Sequence, residues 1–163
     1  MQDKNLLEEI EKDWDQALLE DERKEIQKGN VSKFLINMRA TTCNAFTSDM
    51  RFIKMYYQIA YKNSERSKYA FERNDIDALN LYYEDAKSAL DKSTYVIKGL
   101  KDKANSALED TRKINTNNSK YIENKINKLL KMGEDYYLGT ESLVFKTKDY
   151  LEKAILMQDT LQQ

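Results

Sequence analysis

Tyrosine is the residue type that most strongly suggests a functional site, since eleven of the 163 residues are Tyr. Six of them form adjacent pairs at 56–57, 82–83 and 136–137. Tyrosine is enriched at protein interfaces, where a rigid ring and a hydroxyl act together. A packing role is the alternative: one Tyr of each pair lies inward and the other covers the core edge with its hydroxyl in water. We expect packing, and Tyr57, Tyr82 and Tyr137 are the candidates for contact with a partner.

Basic residues provide a second candidate surface, around the predicted hairpin at 98–131. A positive patch of this kind attracts acidic polysaccharide, phosphate or lipid headgroups. Acidic residues are interleaved with the basic ones in the sequence, so we expect an ordinary solvated surface. Lys120 and Lys128 are the members that remain candidates for contact with a partner. The basic residues are Lys98, Lys101, Lys103, Arg112, Lys113, Lys120, Lys125, Lys128 and Lys131.

The missing residue types exclude most catalytic chemistry. The chain has no His and a single Cys, Cys43. Without His there is no His-based triad, no His general base and no Glu-x-x-His pair for a di-metal site in a helical bundle. One Cys excludes an internal disulfide and a Cys-rich zinc site, and we expect Cys43 to be a small buried apolar residue. We therefore predict a non-enzymatic protein with no catalytic residues, no metal ion and no cofactor.

The charge balance also limits the partners. Lys and Arg number 27 and Asp and Glu number 28, for a formal net charge of −1. A dedicated nucleic-acid binder is normally basic, so we expect no nucleic-acid partner. Acidic clusters such as Glu8, Glu9 and Asp13 are expected to lie on solvated helix faces.

Long helices must position these residues, because the chain has no Pro and only four Gly. Apolar residues recur at steps of three and four, which predicts helices at 3–28, 31–73, 75–115 and 119–162. The helix at 31–73 carries a broad apolar stripe that includes Phe52, Ile53, Tyr56 and Ile59, and its polar segment 62–65 is expected to be irregular. A turn or a new N-cap is predicted at Asn74-Asp75, and a turn is predicted at 115–119 with Ser119 as an N-cap. The last helix is expected to be continuous, with a bend near its glycines.

These elements predict an all-α, elongated, antiparallel three/four-helix bundle with coiled-coil-like heptad packing, forming a single domain over residues 1–163. Trp14 is expected beside Ala45 and Phe46. The predicted register also places a tyrosine-rich layer formed by Tyr56, Tyr57, Tyr95, Tyr136 and Tyr137. The far end is expected to be closed by Phe71, Ile76, Leu79, Met157 and Leu161.

Two stretches, VSKFLINMRATTCNAF and KTKDYLEKAILMQDTLQQ, together with the bias toward Lys, Asn, Ile, Tyr and Glu, resemble the helical-bundle surface lipoproteins of Borrelia-type spirochaetes. The segment Arg39-Ala40-Thr41-Thr42 is similar to a short stretch in the decorin-binding members. No binding residue is carried over from this four-residue match. The resemblance implies a protein on the cell surface, held by a lipid anchor outside this segment, that binds host molecules without catalysis.

The leading hypothesis is therefore an extracellular binding or adhesion module of a bacterial outer-surface lipoprotein. The alternative is a cytosolic helical chaperone or secretion-system adaptor that binds partner helices, which a native start at Met1 would favour. No apolar segment of a signal peptide follows Met1, so Met1 is either that native start or a replacement for a removed export signal. A third possibility is the ligand-binding bundle of a membrane receptor. A protein partner is expected in each case, and self-association is a further expectation.

Overall fold

Over residues 31–114 and 119–162, a computed structural model of the chain shows three α-helices that pack as a bundle: α1 (Val31–Glu72), α2 (Ile76–Ile114) and α3 (Ser119–Gln162). The all-α prediction is confirmed, and α3 is one continuous helix as expected. The structure describes Glu8, Glu9, Lys12 and residues 31–114 and 119–162; among these, the side chains of 31–45, 113, 114, 119, 121 and 162 are not described. The helix predicted at 3–28, the positions of Trp14, Ala45 and Cys43, and the N-cap role of Ser119 lie outside this description, apart from the helical positions of Glu8, Glu9 and Lys12.

The turn between α1 and α2 follows from two adjacent residues. Asn74 has a φ of 55°, in the left-handed region that Asn tolerates better than most residues. Its N–H bonds Phe71 O at 3.1 Å and the Asp75 N–H bonds Ala70 O at 3.0 Å, which is a Schellman-type helix end. Asp75 Oδ1 then accepts a hydrogen bond from the Ala78 N–H at 3.1 Å, so Asp75 is the N-cap of α2. The predicted turn and cap are confirmed.

The polar segment 62–65 is helical, so the prediction of irregular structure there is wrong. Asn63 and Ser64 are buried inside the bundle, and Asn63 Nδ2 donates to Ile59 O at 2.9 Å. These side chains are short enough to pack between helices, and the backbone keeps its helical hydrogen bonds because burial leaves it no water as an alternative partner.

The helices contribute to two compact units, unit 1 (residues 1–51 and 98–133) and unit 2 (residues 52–97 and 134–163). The described core of unit 1 is formed by Phe46, Met50, Leu100, Ala104, Ala107, Leu108, Ile122, Ile126 and Leu129. The core of unit 2 is formed by Ile53, Ala60, Ala70, Leu79, Ala86, Ala89, Ile97, Val144, Leu151 and Ala154. The prediction of a single domain stays a prediction.

One end of unit 2 is closed by a cluster of Ala70, Leu79, Leu151 and Ala154, against which Phe71 and Ile76 pack. Met157 and Leu161 are exposed, at 47% and 84%, so their predicted role in closing this end is wrong. The α1–α2 turn lies near Asn74, and α3 continues for about two turns beyond its last buried residue, Ala154. No helix among the described residues contains a stretch apolar enough to span a membrane.

Candidate partner-binding surface

The heptad register shows which side chains of each helix face outward. With a and d as the inward positions, Ile53, Ala60 and Ser67 take d in α1, Ala86 and Ser93 take d in α2, and Thr140 and Thr147 take a in α3. All seven are buried, which supports this register through unit 2. Position f then points directly away from the other helices, where polar residues are normally found.

Unit 2 has a strongly apolar exterior. All twelve of the large hydrophobic side chains that are exposed among the described residues belong to it. Six of them occupy f positions: Met55 and Tyr69 on α1, Leu81 and Tyr95 on α2, and Leu138 and Phe145 on α3. In unit 1 the described f positions carry Ser48, Asp102, Glu109, Asn124 and Lys131.

The exposed residues of α1 include a second apolar stripe beside its inward one. Phe52, Met55, Tyr56 and Ile59 follow the i, i+3, i+4, i+7 spacing of one helix face, and the rings of Phe52 and Tyr56 stack with centroids 6.3 Å apart. Phe52 and Met55 are 45% and 40% exposed, and Tyr56 and Ile59 are half-buried.

This stripe continues across to α2. At the end of unit 2, Tyr82 of α2 packs against the cluster that contains Ala70 of α1, and both residues take g positions. The g positions two heptads away from this end are Tyr56 on α1 and Val96 on α2, so the register places these two residues on the same side of the bundle. We name this surface the α1/α2 face and define it by Phe52, Met55, Tyr56, Ile59 and Val96. The sequence predicted a single broad apolar stripe on α1 that includes Phe52 and Ile53. The structure divides it into two adjacent series with the same spacing, and Ile53 is buried whereas Phe52 is exposed.

The opposite side of α1 adjoins α3 at Gly139. A Cβ atom at Gly139 would lie 2.8 Å from Cε2 of Tyr57, so the tyrosine ring lies directly on the helix backbone. Tyr57 also meets Tyr136 edge to face, with centroids 5.5 Å apart. An open cavity of about 440 Å³ is lined here by Tyr57, Gln58, Tyr61 and Lys62.

In the heptad register the paired tyrosines divide as predicted: one member of each pair takes an inward a or d position and the other a flanking e or g position. The inward members are Tyr57, Tyr83 and Tyr136. All six are half-buried, because each pair straddles the edge of the inward stripe. The predicted tyrosine layer is confirmed in part: Tyr57 contacts Tyr136, and Tyr137 Oη lies 3.1 Å from Thr94 Oγ1. Tyr95 is 83% exposed and faces solvent.

The five candidate residues fall into different regions. Tyr57 lies over Gly139, Tyr137 bonds Thr94, and Tyr82 packs against the cluster at the end of unit 2. Lys120 and Lys128 are exposed and belong to unit 1. A partner-binding role for these five residues stays a prediction.

Among the described residues of unit 1, Lys103, Arg112 and Lys125 form ion pairs. Lys103 Nζ lies 2.9 Å from Asp49 Oδ2 and Arg112 Nε lies 2.7 Å from Glu123 Oε1. Lys125 is buried and donates to Glu9, so the prediction of an ordinary solvated surface is wrong for Lys125. The signal was present in the sequence, because Lys125 lies on the same helix face as Ile122, Ile126 and Leu129.

The Lys125 contact changes the acidity of its partner. The hydrogen bond from Lys125, together with its positive charge, lowers the pKa of the exposed Glu9 carboxyl from its ordinary value of 4.5. Lys128 and Lys12 lower it further through their charges.

Within the described part of the chain, no group of three or more Cys, Asp or Glu side chains is arranged to hold a metal ion. Among the described residues, the chemistry that unit 2 presents to solvent is exposed apolar and aromatic side chains. No protein family, curated protein sequence or solved structure gave a match to this chain.

Proposed function

We propose that this chain is a non-enzymatic protein-binding module and that its partner docks on the α1/α2 face. The single observation that carries the proposal is the second apolar stripe of α1, in which Phe52 and Met55 are 45% and 40% exposed and adjoin the half-buried Tyr56 and Ile59. Contiguous apolar surface on a soluble protein is unfavourable unless another molecule covers it, and such surface commonly marks an interaction site.

The spacing of the face indicates the kind of partner. Residues at i, i+3, i+4 and i+7 on one helix are complementary to the same spacing on a second helix, which is the helix-in-groove mode of recognition. Phe52 and Tyr56 provide aromatic anchors, and aromatic side chains contribute strongly to binding energy at interfaces. An amphipathic partner helix is therefore the ligand that fits this face best.

We further propose that the module acts outside the cell, as part of a bacterial outer-surface lipoprotein that engages host molecules. The sequence resemblance to spirochaete surface lipoproteins supports this location. The lipid anchor would lie outside the present segment and provide the only membrane contact. The second candidate, a cytosolic chaperone or secretion-system adaptor, is favoured by the helix-type spacing of the α1/α2 face.

The docking site can be tested by photo-crosslinking from two matched positions. Met55 and Ser48 both occupy f positions of α1, one heptad apart, with Met55 in unit 2 and Ser48 in unit 1. A photo-crosslinking amino acid at position 55 is expected to give a defined protein adduct in native cells or on host material. The same residue at position 48 is expected to give none. Equal adducts from both positions, or none from either, would contradict docking on this face.

The location requires a separate measurement, the intact mass of the protein purified from its native cells. A mass increased by acyl chains, on a chain that begins with Cys upstream of this segment, is the result expected for a surface lipoprotein. An unmodified chain that begins at Met1 would contradict the surface location and make the cytosolic adaptor the leading candidate.

A further inference from the structure

The helices of unit 2 carry opposite charge. In α1, residues 52–70 include four basic side chains and one acidic one, Glu65. In α3, residues 134–152 include five acidic side chains and two basic ones. In α2, residues 76–97 include four acidic side chains and two basic ones. Within this unit α1 is therefore the basic helix, and α3 is acidic over a stretch of the same length.

The basic and acidic stretches border one outward surface. Gly139 occupies a g position of α3 and contacts Tyr57 of α1, so the c and f positions of α3 lie next to the b, e and f positions of α1. We name this surface the α1/α3 face. It is formed on α1 by Tyr61, Lys62, Lys68 and Tyr69, and on α3 by Asp135, Leu138, Phe145, Asp149 and Glu152.

The face is apolar as well as charged. Tyr61 and Tyr69 are 49% and 57% exposed, and Leu138 and Phe145 are 54% and 71% exposed. A fully buried aromatic side chain removes about 150–250 Å² from solvent, so each of these leaves on the order of 100 Å² exposed. Together they supply roughly half of the ~800 Å² that one partner of a standard interface buries.

We propose that the α1/α3 face binds the same face of a second copy of this chain, related by a two-fold axis. In such a pair α1 of each copy lies against α3 of the other, and the complementary contact forms twice. The two-fold axis runs parallel to the helices, so side chains at the same level face each other. Tyr57 of α1 lies level with Gly139 of α3, so Lys68 of one copy faces Asp149 of the other. The cavity beside Tyr57 and Tyr61 offers a recess for an exposed side chain of the second copy.

Charge complementarity selects this occupant over others. An anionic lipid surface or polyanion would be attracted by Lys62 and Lys68 but repelled by the acidic residues of α3 on the same face. A second copy presents both signs and satisfies both. The ion pairs Lys153–Asp149 at 2.9 Å and Lys148–Glu152 at 3.8 Å are exposed i,i+4 pairs that contribute little, so their carboxylates can exchange partners on association.

The test is a charge exchange between two variants of the full chain. Lys68→Glu makes the α1 side of each contact acidic, and Asp149→Lys makes the α3 side basic. Each variant alone places like charges across both halves of the interface. An equimolar mixture restores opposite charges at both halves.

Sedimentation velocity over about 1–100 μM protein at low salt reads the result. We expect the wild type to dimerise, each variant alone to dimerise at least about tenfold more weakly, and the mixture to recover the wild-type affinity within about threefold. Glu109→Lys and Lys131→Glu, at two exposed f positions of unit 1, are the matched controls and are expected to dimerise like the wild type.

Three results would overturn the proposal: a wild type that stays monomeric, variants that dimerise unchanged, or a mixture that does not recover. Sedimentation of the monomer with anionic vesicles, lost on Lys68→Glu, would assign the face to a lipid surface instead. Circular dichroism confirms that each variant is folded. The exchanged charges lie off the α1/α2 face, so neither result decides whether the partner proposed above docks there.

Discussion

The two units are built from the same three helices with the same heptad register, yet they divide polar and apolar residues in opposite ways. Unit 1 has a core with large side chains, such as Phe46 and Leu129, and joins its helix edges by ion pairs. Unit 2 has an interior rich in Ala, Ser and Thr, aromatic contacts between α1 and α3, and large hydrophobic side chains outside. Heptad spacing therefore determines whether a side chain points inward or outward, but not whether the residue at that position is polar or apolar.

The interior of unit 2 also leaves polar atoms without partners. Asn63 Oδ1, Ser64 Oγ, Ser67 Oγ and Ser93 Oγ are buried with no hydrogen-bond partner in the protein. Among the described residues of unit 1, the buried Thr111 donates to Ala107 O at 2.7 Å instead. An unsatisfied buried group costs about 1–3 kcal/mol, so each of these four atoms lowers the stability that unit 2 gains from its interior.

The largest expected effect is the difference in unfolding free energy between two Phe→Ala variants, one in each unit. Phe46 is fully buried in unit 1, and Phe46→Ala is expected to lower the free energy of unfolding by about 3–5 kcal/mol, because it leaves a cavity. Phe145 in unit 2 is 71% exposed, and Phe145→Ala is expected to change it by less than about 0.5 kcal/mol at protein concentrations where the chain is monomeric. Denaturant titration measures both, and similar losses would remove the contrast between the units.

A second pair of substitutions compares two helical glycines. An alanine Cβ at position 139 would meet the Tyr57 ring at 2.8 Å, whereas nothing lies within 4 Å of a Cβ at position 99. Overpacking costs about 1–3 kcal/mol and the helix preference of Ala returns about 1 kcal/mol, so Gly139→Ala is expected to destabilise by about 1 kcal/mol. Gly99→Ala is expected to stabilise by about 0.8–1 kcal/mol. If the melting temperature rises in both variants, the Tyr57 ring moves aside freely and the expected clash at position 139 is absent.

Removing an unpartnered hydroxyl is expected to have an effect of similar size and to stabilise the protein. Ser93→Ala removes a buried, unsatisfied Oγ and is expected to stabilise the protein by about 1 kcal/mol or more. Ser88→Ala, at an exposed position of the same helix, supplies the control, because it changes only helix propensity, by about 0.5 kcal/mol. If the two variants gain equally in urea titrations, the Ser93 hydroxyl is satisfied and the contrast with Thr111 fails.

The smallest effect is the pH dependence of the ion pair in unit 1. The folded-state pKa of Glu9 is lowered below its ordinary value of 4.5, so the contribution of the pair is complete above about pH 4.5. It is lost as the pH falls through the lowered folded-state pKa. The melting temperature of wild type is therefore expected to exceed that of Glu9→Gln near neutral pH and to converge with it in acid. Glu8→Gln, at the neighbouring exposed residue, is the control. A wild-type advantage that is independent of pH would contradict the assignment.

The helices and their ends were readable from the sequence because local signals specify them. Asp75 is recognisable as an N-cap from its type and place, and helix bounds fell within one residue of those predicted for α1 and α2. The interaction surface was not readable in the same way. Phe52 and Ile53 belong to two adjacent series with the same spacing, and only packing decides which series is inside.

Two other residues show the same limit. The apolar face on which Lys125 lies is visible in the sequence, but its charge partner Glu9 is far away in the chain and local spacing does not identify it. Leu161 continues the heptad pattern perfectly well, but its burial requires neighbouring helices that have already ended near Asn74. Long-range partners and the length of neighbouring elements are tertiary information that local spacing does not contain.

The exposed last turns of α3 have a consequence for local unfolding. Residues 155–161 are all exposed, so these turns can unwind without uncovering any buried apolar side chain. Their opening free energy is therefore close to that of a fraying terminus rather than that of the whole chain. Proteases should cut here first and stop near Ala154, where further unwinding would expose the cluster around Leu79. The trimmed protein should retain the fold of unit 2, which makes this end a suitable place to attach a label.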